Sequence, residues 1–362
     1  TNSLKDSFKK ISITYRKPIK NLNIPPPFLS INKPPFLIAE IGGNHEGNFT
    51  TAKKMLKLAI ETGVDCVKFQ IYQAKSLVNE KQSPDRYKHF KKFELTNEQH
   101  IELAEICRSN GVIYSASVWD VEALNWIDPY LDFYKIGSGD LTAYPLIESF
   151  AEREKPIILS TGLSNLEEVL NAVNFIQKTN KIYLNPEMLC LLQCTSMYPI
   201  PESDANLNVM LNLKSLTGLA CGYSDHTEGT NALKIAANMG ANILEFHFTD
   251  SRENKSFRDH KVSLIKEEVI ELKNYLNASK NIMGNNDKKL LQIEIDNNHN
   301  ITFRRGIYLK KLIKKGSKIK KEELIYLRPA YGTSAEFFDE VIGKVALQDI
   351  KPFEPIIKNI DY

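Results

Sequence analysis

Apolar residues in this chain gather in short blocks. Eight runs recur, at Phe36–Ile41, Cys66–Ile71, Val112–Ser117, Phe133–Ile136, Pro156–Ser160, Met188–Gln193, Leu219–Gly222 and Asn242–Phe246. They are near-continuous rather than alternating, the pattern of strands buried on both faces in a parallel sheet. Between most of them, apolar residues return at helical spacing over Thr51–Glu61, Asn97–Ser109, Asn165–Lys178 and Asn231–Met239. Gly63, Gly111 and Gly240 follow three of these stretches, where a helix C-cap favours glycine. A further helical stretch, Leu264–Tyr275, follows the eighth run. Eight strand–helix units in about 250 residues predict a (β/α)8 barrel, the TIM architecture. An open doubly wound sheet competes, but no Gly-x-Gly-x-x-Gly follows the first strand.

The flanks read differently. Residues 1–35 are rich in Lys and Pro and lack the apolar centre of a secretory signal, so they read as an extended arm. Residues 36–283 form the expected catalytic barrel, and the polar, Asn-rich stretch 284–300 reads as a linker. Residues 301–362 carry short strand patterns and turns at Ile307–Leu309, Lys315-Gly316, Leu324–Leu327, Gly332-Thr333 and Val341–Ala346, a small domain with few groups for a core. No apolar run approaches the roughly 20 residues of a membrane span. The five cysteines show no paired spacing, which points to reduced thiols and a cytoplasmic setting. Cys190 and Cys194 share one strand pattern and read as core. The net charge of +3 is uneven: +6 over residues 1–35, −8 over 36–300 and +5 over 301–362. An acidic large domain without a nucleic-acid motif excludes a nucleic-acid partner as the first reading. Any anion bound there needs a few aimed lysines and backbone amides.

The strands of a parallel barrel bring their C-terminal residues to one mouth, where such folds carry their chemistry. Here those residues are Glu40 with Gly42-Gly43-Asn44-His45, then Lys68 and Gln70, Lys135 with Gly137-Ser138-Gly139-Asp140, Ser160-Thr161-Gly162, Thr195–Tyr198, Ser224-Asp225-His226, and Glu245 with His247. Lysines in buried strands are rare unless paired or functional. Lys68 and Lys135 at one mouth form an anion clamp, with hydroxyls and amides from the Ser138 and Ser160 turns as further donors. The plainer alternative pairs each lysine with an acid such as Glu40 or Asp140; a Schiff-base lysine is a third. His226 and His247 end the last two strands and together can hold one divalent metal with positions left open. Either alone reads equally well as a core histidine. The pair argues for metal-assisted carbonyl chemistry.

These segments together carry a resemblance. Ile38-Ala39-Glu40-Ile41-Gly42-Gly43-Asn44-His45-Glu46-Gly47, Val67-Lys68-Phe69-Gln70, Tyr134-Lys135-Ile136-Gly137-Ser138-Gly139-Asp140, Ile158-Leu159-Ser160-Thr161-Gly162, Cys194-Thr195-Ser196-Met197-Tyr198-Pro199, Ser224-Asp225-His226-Thr227 and Glu245-Phe246-His247-Phe248-Thr249 resemble the N-acetylneuraminate (sialic acid) synthase family, with its legionaminate, pseudaminate and spore-coat polysaccharide relatives. Phe303-Arg304-Arg305 and Leu327-Arg328-Pro329 resemble the antifreeze-like (SAF, β-clip) domain of the same enzymes.

The resemblance implies a transferase that condenses phosphoenolpyruvate with an N-acyl amino sugar such as N-acetylmannosamine and releases phosphate. It implies Mn²⁺ or Mg²⁺ on His226 and His247, phosphoenolpyruvate held by Lys68, Lys135, Ser138, Ser160 and Ser224, and catalytic roles for Glu40, Lys68, Lys135 and Asp140. Gln70, Tyr198, Glu245, Asp259 and Arg328 are implied at the sugar, with Arg328 acting across a domain-swapped homodimer. There are departures: Asp140 where Glu is usual, Ser115-Ala116-Ser117 for Ser-Thr-Pro, Ser196 for Asn, and Ser256-Phe257-Arg258 ahead of Asp259-His260 for Pro-Gly-Pro. Two other readings stay open at this point: another phosphoenolpyruvate-dependent sugar-condensing aldolase, including a sugar-phosphate user, and a non-catalytic carbohydrate-binding barrel.

Overall fold

The computed structural model describes residues 34–285 and 287–362. The expected N-terminal arm therefore lies outside the described residues, apart from Pro34 and Pro35. The chain divides into two compact units, one ending at Gly284 and one spanning Asn285–Tyr362. Among the described residues of the first unit, eight parallel strands close a barrel: β1 (Phe36–Glu40), β2 (Cys66–Ile71), β3 (Ile113–Val118), β4 (Tyr134–Ile136), β5 (Ile157–Ser160), β6 (Leu189–Cys194), β7 (Ala220–Asp225) and β8 (Ile243–His247). All eight expected strands are present, with ends moved by up to three residues. β1 pairs with β8 in the register Phe36↔Ile243 through Glu40↔His247, which shuts the barrel.

The intervening helices start where side chains satisfy free backbone amides. Asn48 accepts from Thr51 N ahead of the helix Phe49–Glu61. Thr96 with Gln99 and Asn165 with Glu168 form capping boxes for Asn97–Ser109 and Leu166–Thr179. The helix expected over Leu264–Tyr275 runs Lys266–Met283. No described helix is long and apolar enough to cross a membrane.

Strand periodicity explains the site. One apolar cluster takes Ile38, Cys66, Ile113, Ile158, Ala220 and Ile243 from β1, β2, β3, β5, β7 and β8, Cys190 and Leu192 from β6, and Phe133 from just before β4. A cluster drawn from every stave can only fill the barrel interior. Residues two further along a strand face the same way. Two steps on from that layer stand Glu40, Lys68, Ser115, Lys135, Ser160, Cys194 and Glu245. The interior is thus apolar below and polar above. The odd-parity residues, among them Ala39, Val67, Phe69, Tyr134, Leu191, Tyr223 and Phe246, join the larger core under the helices.

In the second unit β9 (Gly306–Leu309) and β10 (Leu324–Leu327) pair antiparallel. Its small core is Ile307, Leu309, Ile313, Ile319, Leu324, Val341, Ala346, Ile350 and Ile356. The stretch expected as a linker holds the short helix Gln292–Asp296, and His299–Thr302 is helical across its end. One expectation is corrected here. Val341–Ala346 is not a strand. Phe338–Val341 is a helical turn, and only Val345 bridges to Lys318.

Gly222 is where the barrel is tightest. A Cβ there would fall on the Ile243 carbonyl of the neighbouring strand and 2.8 Å from Leu192 Cδ2. Strand backbones cannot retreat without breaking the ladder. Gly222→Ala is expected to destabilise the protein by about 3 kcal/mol, the upper part of the usual overpacking range. Urea unfolding followed by circular dichroism measures this; a loss below about 0.5 kcal/mol would show that the staves separate freely.

Candidate active site

Four charged side chains meet inside the mouth. Lys68 Nζ lies 2.6 Å from Glu40 Oε2 and 3.9 Å from Glu245 Oε1. Lys135 Nζ lies 3.6 Å from the same Glu245 oxygen and donates to Ser160 Oγ at 2.6 Å. Lys68 also donates to Ser117 Oγ at 3.3 Å, Ser224 Oγ donates to Glu245 Oε1 at 3.2 Å, and Gln70 Nε2 donates to Glu40 Oε1 at 3.1 Å. All four charged groups are at most 6% exposed. Both lysines are thus paired with acids, as one sequence alternative has it: Lys68 with Glu40, and Lys135 with Glu245 rather than Asp140. Buried charges of this kind persist only when paired and hydrogen-bonded.

Burial pushes the Glu40 carboxyl up to about 7, against the pull of Lys68. Burial acts on Glu245 in the same sense, but Lys135 and Lys68 overcome it and hold that carboxyl low. Burial likewise works against the charged Lys68, yet Glu245 and Glu40 keep its pKa above the ordinary value. Lys135, with fewer close acids, is lowered by burial. Two carboxylates of one type are thus split into a proton carrier and a fixed anion, a pattern typical of acid–base sites.

Beside this cluster stand the two histidines, their ring centroids 5.3 Å apart. Thr195 O lies 2.6 Å from His226 Nδ1. A carbonyl can only accept, so Nδ1 carries a proton, and against burial Cys194, the Thr195 carbonyl and Asp225 raise the His226 pKa. His247 Nδ1 is buried without a hydrogen-bond partner. Burial and the neighbouring His226 hold its pKa well below normal, so the ring is neutral. The Tyr198 ring packs 4.0 Å from His226 and 5.5 Å from His247, and the Arg258 guanidinium lies 4.6 Å over the Tyr198 ring. Arg258 Nε donates to Asp259 Oδ1 at 3.1 Å.

The remaining expected residues divide. Gln70, Ser160, Ser224, Glu245, Tyr198 and Asp259 lie within this network. Ser138 is one step out: it accepts from Gly162 N at 3.0 Å and lies 3.5 Å from Cys194 Sγ. Gly162 must be glycine for this approach, since a Cβ would stand 2.5 Å from Ser196 Oγ and 2.8 Å from Ser138 Oγ. The Asp140 carboxylate is raised by burial, opposed by Lys135 and by a hydrogen bond from Trp119. Asp225 points back into its own turn, accepting from Thr227 N at 2.8 Å and Tyr223 OH at 3.0 Å. Arg328 belongs to the second unit, exposed just after β10. Cys194, read from the sequence as core, is buried at the end of β6, and its Sγ lies 3.9 Å from His226 Nδ1. Unanticipated are Ser117, Trp119, the Thr195 carbonyl and Arg258. Strand parity could have found Ser117; the others act from loops. Asn44 Nδ2 ties the β1 and β8 loops together, donating to Phe248 O at 2.9 Å and Ser263 Oγ at 2.8 Å.

A barrel with a proton-carrying carboxyl, buried lysines and paired imidazoles at its C-terminal mouth belongs to the enzyme-bearing class of this fold. The NeuB family model matches residues 55–288, and the SAF domain model matches residues 304–359. The chain is 35% identical over 337 residues to the N,N'-diacetyllegionaminic acid synthase of Campylobacter jejuni, covering 90% of this chain and 99% of that one. It is 29% identical over 341 residues to the N-acetylneuraminate-9-phosphate synthase of Homo sapiens, covering 90% and 92%. A crystal structure of N-acetylneuraminic acid synthetase from Leptospira borgpetersenii in complex with citrate matches with a TM-score of 0.67 at 27% identity, over 75% of this chain and 95% of that one. The chain belongs to the NeuB family, whose relatives are nonulosonic acid synthases of carbohydrate biosynthesis, and it ends in a SAF domain.

The raised Glu40 pKa gives a direct spectroscopic expectation. Below about pH 7 the group is a neutral acid; above it, a carboxylate paired with Lys68. Infrared difference spectra of the parent against Glu40→Gln should show a protonated-carboxyl band that disappears through a midpoint near 7. A midpoint below about 5, the ordinary carboxylate range, would mean that Lys68 outweighs burial.

Proposed function

We propose that this protein condenses phosphoenolpyruvate with an N-acyl amino sugar such as N-acetylmannosamine to give a nonulosonic acid and phosphate. The observation that carries the reading is the meeting of two buried lysines and two unlike carboxyls beside a pair of histidines. A small, multiply charged anion has ammonium groups and the hydroxyls of Ser117, Ser160 and Ser224 to bind, and an aldehyde has the imidazole pair beside it.

The histidines fit a divalent metal, Mn²⁺ or Mg²⁺. Thr195 holds His226 Nδ1, which leaves Nε2 as the nitrogen that would bind a metal once deprotonated, and His247 Nδ1 is buried without a partner. With metal–nitrogen bonds of about 2.1 Å, two imidazoles on one ion put their centroids roughly 5 Å apart. Among the described residues no group of three His, Cys, Asp or Glu forms a fuller site, which leaves coordination open to substrate oxygens. Bound there, the ion would polarise the aldehyde of the open-chain sugar.

The remaining steps fall to the chain's own groups. Lys68 and Lys135, with Ser138, Ser160 and Ser224, hold phosphoenolpyruvate so that its C3 faces the sugar aldehyde, and a new carbon–carbon bond forms between them. Positive charge then develops at C2, where Glu245 and Glu40 lie close enough to offset it. Glu40 takes a proton from water as the water oxygen bonds to C2. Glu40 passes that proton to the former aldehyde oxygen; the C2–O bond to phosphate then breaks as the proton of the new C2 hydroxyl goes to the departing phosphate, leaving a C2 carbonyl, so both water protons are accounted for. Asp140, Gln70, Tyr198 and Asp259 orient the sugar. The five buried, unpaired cysteines accord with a cytoplasmic site of action.

A panel of N-acyl amino sugars with phosphoenolpyruvate and Mn²⁺, read by phosphate release and product mass, tests this. One sugar should give a product heavier by the pyruvate unit, and Lys135→Met should raise the phosphoenolpyruvate requirement at least about tenfold, equivalent to 1.4 kcal/mol of lost binding. No phosphate release with any sugar, together with no phosphoenolpyruvate binding in calorimetry, would favour a carbohydrate-binding barrel. A second test addresses assembly as a domain-swapped homodimer, with Arg328 reaching the sugar site of the partner subunit. Arg328 is exposed, immediately after β10. Mixing inactive Arg328→Ala and His226→Ala subunits should restore part of the activity, because one hybrid site holds both native residues. No recovery despite demonstrated subunit exchange would overturn action in trans.

A further inference from the structure

A cavity of about 590 Å³ is lined in part by Tyr198, whose ring packs 4.0 Å from that of His226. Its wall comes mostly from the loop after β8 and includes Lys255, Phe257, Arg258 and Lys261. The loop is pinned by Phe257, whose ring packs 5.1 Å from Phe93 and 5.6 Å from His89. It also lies against Gly43, where a Cβ would come within 3.2 Å of the ring. Arg258 follows this anchor, with a side chain 67% exposed. Its position is therefore set by the backbone while its head stays available.

Charge accounting around the cavity leaves cations to spare. Arg252 is closed off, since both of its terminal nitrogens bind Glu268 at 2.7 Å. Lys255 shares Asp250 with Lys54, at 3.4 Å and 2.8 Å, so one carboxylate faces two ammonium groups. Arg258 touches Asp259 through Nε only, which leaves the two terminal amino groups of its fork unused. Lys261 meets Glu228 at 3.4 Å with both side chains about 60% exposed, a pair of little strength. A planar guanidinium with a free edge and nearby ammonium groups suits a phosphate bound through two oxygens.

We propose that this cavity is an anion subsite that takes the terminal phosphate of a phosphorylated amino sugar, with Arg258 as the specificity-determining residue and Lys255 in support. The inference rests on the reaction proposed above: an acceptor whose aldehyde lies at the histidine pair would extend past the Tyr198 face and carry its far end into the cavity.

The test compares N-acetylmannosamine with its 6-phosphate on the intact enzyme. The parent should favour the phosphorylated sugar in kcat/KM by at least about tenfold. Arg258→Ala should raise KM for the phosphorylated sugar at least tenfold more than KM for the free sugar, with kcat for the phosphorylated sugar falling less than its KM rises. Arg258→Lys should restore part of the difference, because charge remains while the fork is lost. Equal efficiency on both sugars in the parent, or an equal KM change for both in Arg258→Ala, would overturn the subsite; the latter would mean that Arg258 merely positions Asp259 and Tyr198. If neither sugar is turned over, the proposed reaction has failed, and calorimetry with mannosamine 6-phosphate and mannosamine decides the subsite alone. Tighter binding of the phosphate in the parent, lost in Arg258→Ala, supports it, and equal binding overturns it.

Discussion

The hydrogen-bonded pairing of β1 with β8 is the constraint on which the site depends. Residues 36–40 and 243–247 stand at opposite ends of the barrel unit, yet their ladder sets Glu40 opposite His247 and Ile38 opposite Glu245. Glu40 is in turn opposite Lys68 on β2. The first two strands thus supply one carboxyl and one ammonium group, and the last strand supplies the second carboxyl and an imidazole. Slipping β8 by a single residue would turn Glu245 and His247 out of the interior and send Leu244 and Phe246 in. The apolar layer beneath prevents that slip, because it takes Ile38 and Ile243 from the same two strands.

Much of this arrangement was legible in the chain. Continuous apolar runs separated by amphipathic stretches predict parallel strands under helices, and all eight runs became staves. Strand parity went further: a residue two places beyond an interior apolar group must also face inward. On that rule Lys68 follows Cys66, Glu245 follows Ile243, and Lys135 follows Phe133. What could not be read was which oppositely charged groups would meet. Asp140 and Glu40 were both reasonable partners for the lysines, and only the register shows that Lys135 approaches Glu245. The loops were opaque for a similar reason. The hold of the Thr195 carbonyl on His226 depends on backbone direction, which residue identity does not encode, and the hydrogen bond from Trp119 to Asp140 joins two separate loops. Short helices within 292–302 escaped because their segments are too brief and polar for periodicity to register.

The barrel also separates stability from chemistry by height. Its lower interior is apolar, and its outer faces pack against helices through a second apolar layer. Among the described residues, most buried polar side-chain atoms without a hydrogen-bond partner lie in or beside the top layer, including Glu245 Oε2, Ser115 Oγ and His247 Nδ1. Unsatisfied buried polar atoms each cost roughly 1–3 kcal/mol. Their concentration at one mouth marks a surface organised for something other than fold stability, and Ser117, which stands where proline is common in the resembling family, lies within it.

The close match of two ammonium groups with two carboxyls has one further consequence. With Glu40 ionised the four charges cancel, so a multiply charged anion would find no surplus of positive charge to neutralise it. It must bring protons, which Glu40 can store, or arrive with a cation. Binding of anion, proton and cation is then thermodynamically linked, and each must alter the affinity for the others by the same factor in both directions. The mouth behaves as a small capacitor: what it accepts in one sign it must balance in the other.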